Sequence, residues 1–191
     1  MKSRSGGFAL IEFAIALPLL ILLMYGLATV GREIFYLGRV QLADYVLEEE
    51  VHEVLSRLIY DARAAKSVKA QNYNSTLIFT YRTIKEVEPE GGGTEIGDII
   101  ADKEEPRVYM LYGKLGAEDS KIDYKRQTSN PTSPITGNNY FGTTRVIQFS
   151  FDKPADKVLR VTLEMQSEVS GHKIKISTAI YMSGCESFEV H

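Results

Sequence analysis

The chain has 191 residues, 22 of them basic and 25 acidic, for a net charge of −3. That balance excludes nucleic-acid binding by bulk charge, and the single cysteine, Cys185, excludes an intrachain disulfide. With the apolar first 30 residues set aside, the remainder is long enough for one modest domain.

Residues 1–30 read MKSRSGGFALIEFAIALPLLILLMYGLATV. A short basic leader with Lys2 and Arg4 runs into an apolar stretch over residues 8–30. At about 1.5 Å per helical residue, that stretch crosses a hydrocarbon core of ~30 Å. A secretory signal peptide has a shorter apolar region and ends at a small-residue cleavage site. Here Gly31, Arg32 and Glu33 follow instead, so the segment is expected to be retained. Lys2 and Arg4 before it and Arg32 and Arg39 after it leave the positive-inside rule undecided. Pro18 falls mid-segment, where it is expected to kink the helix or loosen one turn. Glu12 is the one charged residue in the stretch. A carboxylate at membrane depth costs about 3 kcal/mol on insertion scales, which marks it as a functional position. Its plainest reading is a side chain snorkelling toward a headgroup.

The string Gly7-Phe8-Ala9-Leu10-Ile11-Glu12 resembles the prepilin peptidase site of type IV pilins and pseudopilins. In that family a basic leader ends in Gly, cleavage exposes an N-methylated Phe, and a Glu stands at the fifth mature position. The continuation, Glu12-Phe13-Ala14-Ile15-Ala16-Leu17-Pro18-Leu19-Leu20, resembles the TadE-like minor pseudopilins, which carry a Glu-Phe-Ala run followed by Pro and Leu. Pro18 departs from the type IVa pattern and agrees with the TadE-like one. The resemblance implies processing at Gly7 and Phe8 and assembly through Glu12. It also implies a leader over residues 1–7, a transmembrane helix over 8–30, a helix continuing outward over 31–70, and a β-rich globular pilin-like domain over 71–191. The implied partners are prepilin peptidase, other pilin or pseudopilin subunits, an inner-membrane assembly platform and the lipid bilayer.

Between residues 40 and 68 there is no Pro or Gly. Leu47, Val51, Val54, Leu58, Ala62 and Ala65 recur at spacings of three and four, which makes one helix face. Leu55 and Ile59 widen it. Glu48, Glu49, Glu53, Arg57, Asp61 and Arg63 are assigned to the opposite, solvated face, with Glu53 and Arg57 as a favourable i,i+4 pair. The helix is expected to end within residues 66–72. Residues 55–65, with Leu58, Asp61, Arg63 and Ala65, resemble the helix end of J-type minor pseudopilins and W-type minor pilins.

The rest reads as strands and turns. Residues 76–82, 107–112, 121–126, 146–151, 158–165 and 173–182 are β-branched or aromatic and partly alternating. In the fifth of these, Leu159, Val161, Leu163 and Met165 alternate with polar residues. Ser170-Gly171 is read as a tight turn into the sixth, where Ile174, Ile176 and Ile180 face inward. The expected fold is α+β, a long N-terminal helix packed on an antiparallel sheet. Residues 86–105 and 128–144 are read as exposed loops from their Pro, Gly and acidic content. No domain boundary and no internal repeat is evident.

No catalytic constellation is recognisable. His52, His172 and His191 are scattered without a second ligand at metal spacing, and neither a metal nor a cofactor is expected. Gly91-Gly92-Gly93 is flanked by Glu, which repels phosphate. Asn74-Ser75-Thr76 fits a glycosylation sequon. Tyr109, Tyr112, Tyr124 and Tyr140 are read as strand residues able to touch a ligand if exposed. Cys185 is expected to be a buried thiol. The expected function is that of a non-enzymatic minor pilin or pseudopilin subunit of a type IV pilus-like, secretion or Tad-type filament. Such a subunit resides in the inner membrane with an extracytoplasmic domain. The alternative is a single-pass anchored extracytoplasmic binding module that does not polymerise.

Overall fold

The computed structural model describes residues 6–71, 76–86, 99–126, 131–137 and 143–190, with the backbone alone for residues 6–10, 82–86 and 99–104. The chain forms two compact units, Met1–Gln41 and Leu42–His191. That boundary has no mark in the sequence, because helical pattern runs through it. Among the described residues there is one α-helix, α1 (Gly6–Ala64), and it contributes to both units.

In the first unit α1 carries apolar side chains on every side, and Ile11, Phe13, Leu20, Leu22, Tyr25 and Leu27 are all exposed. The helix runs on through Pro18. The Thr29 hydroxyl bonds back to the carbonyls of Tyr25 at 3.2 Å and Gly26 at 2.8 Å. This satisfies a polar group inside the apolar stretch without a partner from elsewhere.

In the second unit the stripe read from the sequence is the buried face. Leu47, Val51, Val54, Leu58 and Ala62 of α1 join the core. Glu53 and Arg57 pair on the outer surface at 2.6 Å. The helix ends at Ala64, short of the expected residues 66–72. The cause is ladder pairing. The Lys66 N–H bonds to the Thr80 carbonyl at 2.9 Å, and the Lys66 carbonyl accepts the Glu186 N–H at 2.7 Å. Once both backbone groups are held by strands, the next residues form β1 (Ser67–Gln71) instead of a further helical turn. The expected helical span of residues 31–70 is corrected accordingly.

Among the described residues eight further strands follow: β2 (Thr76–Glu86), β3 (Ile99–Tyr112), β4 (Lys121–Arg126), β5 (Ser133–Pro134), β6 (Thr144–Ala155), β7 (Val158–Ser167), β8 (Lys173–Tyr181) and β9 (Ser187–Glu189). They build two sheets, ordered β5-β4-β3-β2-β1-β9 and β6-β7-β8. The architecture is α+β as expected, with two sheets in place of one. One pair departs from the antiparallel rule: β1 runs parallel to β9, with Val68 opposite Phe188. All six strands read from the sequence are present. The missed ones, β1, β5 and β9, have five, two and three residues, too few for alternation to register. The expected loop over residues 86–105 is strand from Ile99 onward, and that over 128–144 contains β5. Gly91–Gly93, Asn74, Ser75 and Tyr140 lie outside the described residues.

β7 lies between β6 and β8, and Leu159, Val161, Leu163 and Met165 on its inner face are fully buried. Each such side chain contributes about 1.5–3 kcal/mol of transfer free energy. They meet Phe149 and Phe151 of β6, whose rings pack edge-on at 4.6 Å. β7 and β8 are joined through residues 168–172, a longer turn than a two-residue one. Gly171 there adopts φ 74°, a conformation that favours glycine.

Candidate functional site

Gly7 and Phe8 lie in the opening turns of α1, with their side chains outside the described set. Glu12 is exposed on α1, and among the described residues no basic group pairs with it. Pro18 stands further along the same helix. An 18-residue window of α1 reaches a mean hydropathy of 2.3, and none of it is buried within the chain. An apolar surface of that extent, exposed on all sides, is unstable in water and requires lipid or other chains around it.

In the second unit the chemistry gathers where α1 meets β3. Asp61, assigned from sequence to the solvated face, is instead buried. Its Oδ1 accepts the Arg107 guanidinium, its Oδ2 accepts the Tyr109 hydroxyl at 2.6 Å, and its backbone carbonyl accepts the Tyr81 hydroxyl at 2.8 Å. The Arg107 guanidinium also lies over the Tyr81 ring, 4.3 Å from its centroid. Tyr109 packs against Phe79 at 5.9 Å and Tyr124 at 5.1 Å. Burial, with the Asp61 carboxylate beside them, pushes the Tyr81 and Tyr109 hydroxyls far above the usual tyrosine range. For Arg107, burial is the largest single effect and acts downward, but the charge and hydrogen bond of Asp61, with Tyr81 and Tyr124, together outweigh it and the net shift is upward. Arg107 thus stays charged and both tyrosines stay protonated near neutrality. A groove of about 350 Å³ is lined by Ser56, Arg57, Tyr60 and Tyr124 together with Asp61, Arg107 and Tyr109. Tyr109 and Tyr112 are strand residues of β3, as read from the sequence; Tyr109 is fully buried, whereas Tyr112 is exposed.

Two more carboxylates of α1 reach other elements. Glu50 is buried. It accepts the Thr144 hydroxyl at the start of β6 and the Gly137 N–H at 3.1 Å. Burial raises its pKa, and the bonds from Thr144 and Gly137 offset only part of that. Asp44 accepts the Ser170 hydroxyl in the turn before β8, with His172 Nδ1 3.7 Å away. Asp44, Glu50 and Asp61 therefore tie α1 to β2, β3, Gly137, the start of β6 and the turn before β8. The signal for two of them was in the sequence. Ala43, Leu47, Glu50, Val54, Leu58, Asp61 and Ala65 follow one another at spacings of four and three, so both carboxylates occupy positions of the apolar stripe.

Cys185 is buried, as expected, and its thiol bonds to the Ser187 carbonyl at 3.1 Å. Burial raises its pKa, and a thiol so held is a poor nucleophile. Among the described residues no three His, Cys, Asp or Glu side chains group to hold a metal.

Among the described residues, these features define one helix long and apolar enough to cross a membrane and an α+β unit tied together by carboxylates. Residues 7–46 match a family model described as TadE-like protein. The matched stretch begins at Gly7 and takes in Phe8, Glu12, Pro18 and the exposed apolar part of α1. This N-terminal part is TadE-like, and the likeness points to a protein associated with a Tad-type pilus. No curated protein and no solved structure matches the chain.

Proposed function

We propose that this chain is a minor pilin or pseudopilin subunit of a Tad-type or related filament. The observation carrying this reading is the coincidence of the TadE-like match over residues 7–46 with a helix that, among the described residues, is long and apolar enough to cross a membrane and has an exposed apolar surface. In this reading prepilin peptidase cuts after Gly7, and Phe8 becomes the methylated N-terminus. The helix holds the subunit in the inner membrane as a single span until the assembly platform passes it into the filament. The unit from Leu42 onward then lies on the extracytoplasmic side and performs no chemical step.

Glu12 supplies the assembly contact. A carboxylate in an apolar helix is stable only with a partner, and the new amine of Phe8 on a neighbouring subunit is the available cation. Their attraction is strong where water is excluded, although desolvation offsets part of it. A subunit docks only where its Glu12 meets an amine, so the pair also sets axial register.

The test is mass spectrometry of the N-terminus of protein purified from cells with an active prepilin peptidase. A mature chain starting at Phe8 supports the proposal. An intact Met1 overturns it and leaves a single-pass anchored binding module that does not polymerise.

A further inference from the structure

We propose that the open edge of β8 is a docking site for an extended segment of a protein partner. The segment adds a further strand to the β6-β7-β8 sheet, and in it acidic side chains alternate with aliphatic ones. Among the described residues β8 pairs only with β7. Two bonds set the phase of that ladder: Ser167 N–H to the His172 carbonyl at 2.9 Å, and Met182 N–H to the Lys157 carbonyl at 2.8 Å. With the register that places Leu163 opposite Ile176, the backbone groups of Ile174, Ile176, Thr178 and Ile180 bond to β7. Those of Lys173, Lys175, Ser177, Ala179 and Tyr181 point outward. An unpaired row of this kind is a template for another strand.

The surroundings of the edge specify that strand. Alongside it, Ile174 and Ile176 face Val51, Leu55 and Ile59 of α1 across an apolar groove of about 360 Å³. A second depression, about 390 Å³, lies farther along β8 between Ile59 and Arg63 on one side and Thr178 to Tyr181 on the other. Together they follow most of β8. Side chains of an incoming strand alternate between faces. One set enters the groove, where aliphatic groups fit. The other set lies on the face that exposes Lys173 and Lys175, where acidic groups fit. Lys175 already pairs with Glu164 at 3.4 Å and donates to Gln148 at 2.9 Å on that face, so its charge is partly offset and the exposed Lys173 supplies the larger share of the attraction. Glu48 borders the groove and disfavours acids on that side. Lysines on an edge strand also repel indiscriminate pairing, which makes this edge selective.

The site lies within the residues from Leu42 onward and needs neither cleavage nor polymerisation, so it stands or falls apart from the filament reading. The experiment uses the full chain in lipid nanodiscs and a fluorescent synthetic peptide of alternating valine and glutamate, read by anisotropy and by amide exchange along β8. Saturable binding is expected, with slowed exchange at Lys175, Ser177 and Ala179. Ser177→Pro removes one outward N–H and leaves the backbone ladder to β7 intact, while giving up the exposed Ser177–Thr162 hydroxyl bond at 3.1 Å. It is expected to weaken binding about tenfold, the loss of one well-placed hydrogen bond, with only a small drop in melting temperature. Should that variant unfold, Lys173→Glu with Lys175→Glu, both at exposed positions, gives the same loss. Absence of saturable binding overturns the proposal. So does equal binding of a valine–lysine peptide, or protection confined to other strands.

Discussion

The Tyr109 hydroxyl donates to Asp61 Oδ2 at 2.6 Å, and both side chains are buried. With Arg107 on the other oxygen, Asp61 joins α1 to β3 across 46 and 48 residues of sequence. Removing one member strands the others. Asp61→Asn leaves the Arg107 guanidinium without its counter-charge, and a broken buried pair costs about 3–5 kcal/mol. Because the Arg107 side chain is 23% exposed, water recovers part of this, and a loss of about 2–3 kcal/mol is expected. Tyr109→Phe removes one hydrogen bond and should cost about 1–2 kcal/mol. Urea titration of the full chain in detergent checks both, and a smaller loss for Asp61→Asn than for Tyr109→Phe would contradict the assignment.

Glu50 governs a pH effect of defined sign. Its pKa is raised above the ordinary 4.5, so the folded state holds the proton more tightly than the unfolded chain. Its contribution to stability is fully present below pH 4.5 and is lost as pH rises through the folded pKa. Glu50→Gln keeps an acceptor for Thr144 and Gly137 and removes the charge. Relative to wild type, the variant should gain stability across that window and hold the gain at neutral pH. Parallel stability curves for the two proteins would show that Glu50 does not titrate as described.

Leu58 is fully buried at the centre of the α1 stripe, while Tyr60, two residues on, is 69% exposed. Leu58→Asp puts an unpaired charge in the core and should abolish cooperative unfolding. Tyr60→Asp should shift the melting temperature little. Circular dichroism melts separate the two, and equal melting of Leu58→Asp and wild type would displace the stripe.

Glu12→Ala should leave membrane insertion intact or improved, since a carboxylate is removed from the apolar helix. It should reduce recovery of the subunit with sheared filaments at equal membrane levels. Glu12→Gln should behave alike if charge is what matters, and Gly7→Ala should copy the defect by withholding the Phe8 amine. Equal recovery of wild type and Glu12→Ala would return Glu12 to a snorkelling side chain.

Amino-acid order alone determined the elements with strong periodicity. The apolar run over residues 8–30, the stripe through Leu47 and Leu58, and the alternation of β7 are local patterns, legible because burial repeats with the helix or strand period. Gly7, Phe8, Glu12 and Pro18 are legible as a linear string because they lie within a dozen residues of one another. What the tertiary structure decided are the matters that depend on chain-distant partners. Residues 67–71 became β1 because Lys66 was captured by Thr80 and Glu186. Asp61 and Glu50 went inside because Arg107, Tyr109, Thr144 and Gly137 were waiting there with donors. A charged residue at a stripe position reads as solvated until its counter-groups are known, and those lie tens of residues away in sequence. The division into two sheets and the open edge of β8 likewise depend on which strands pair, and pairing is a property of the folded chain.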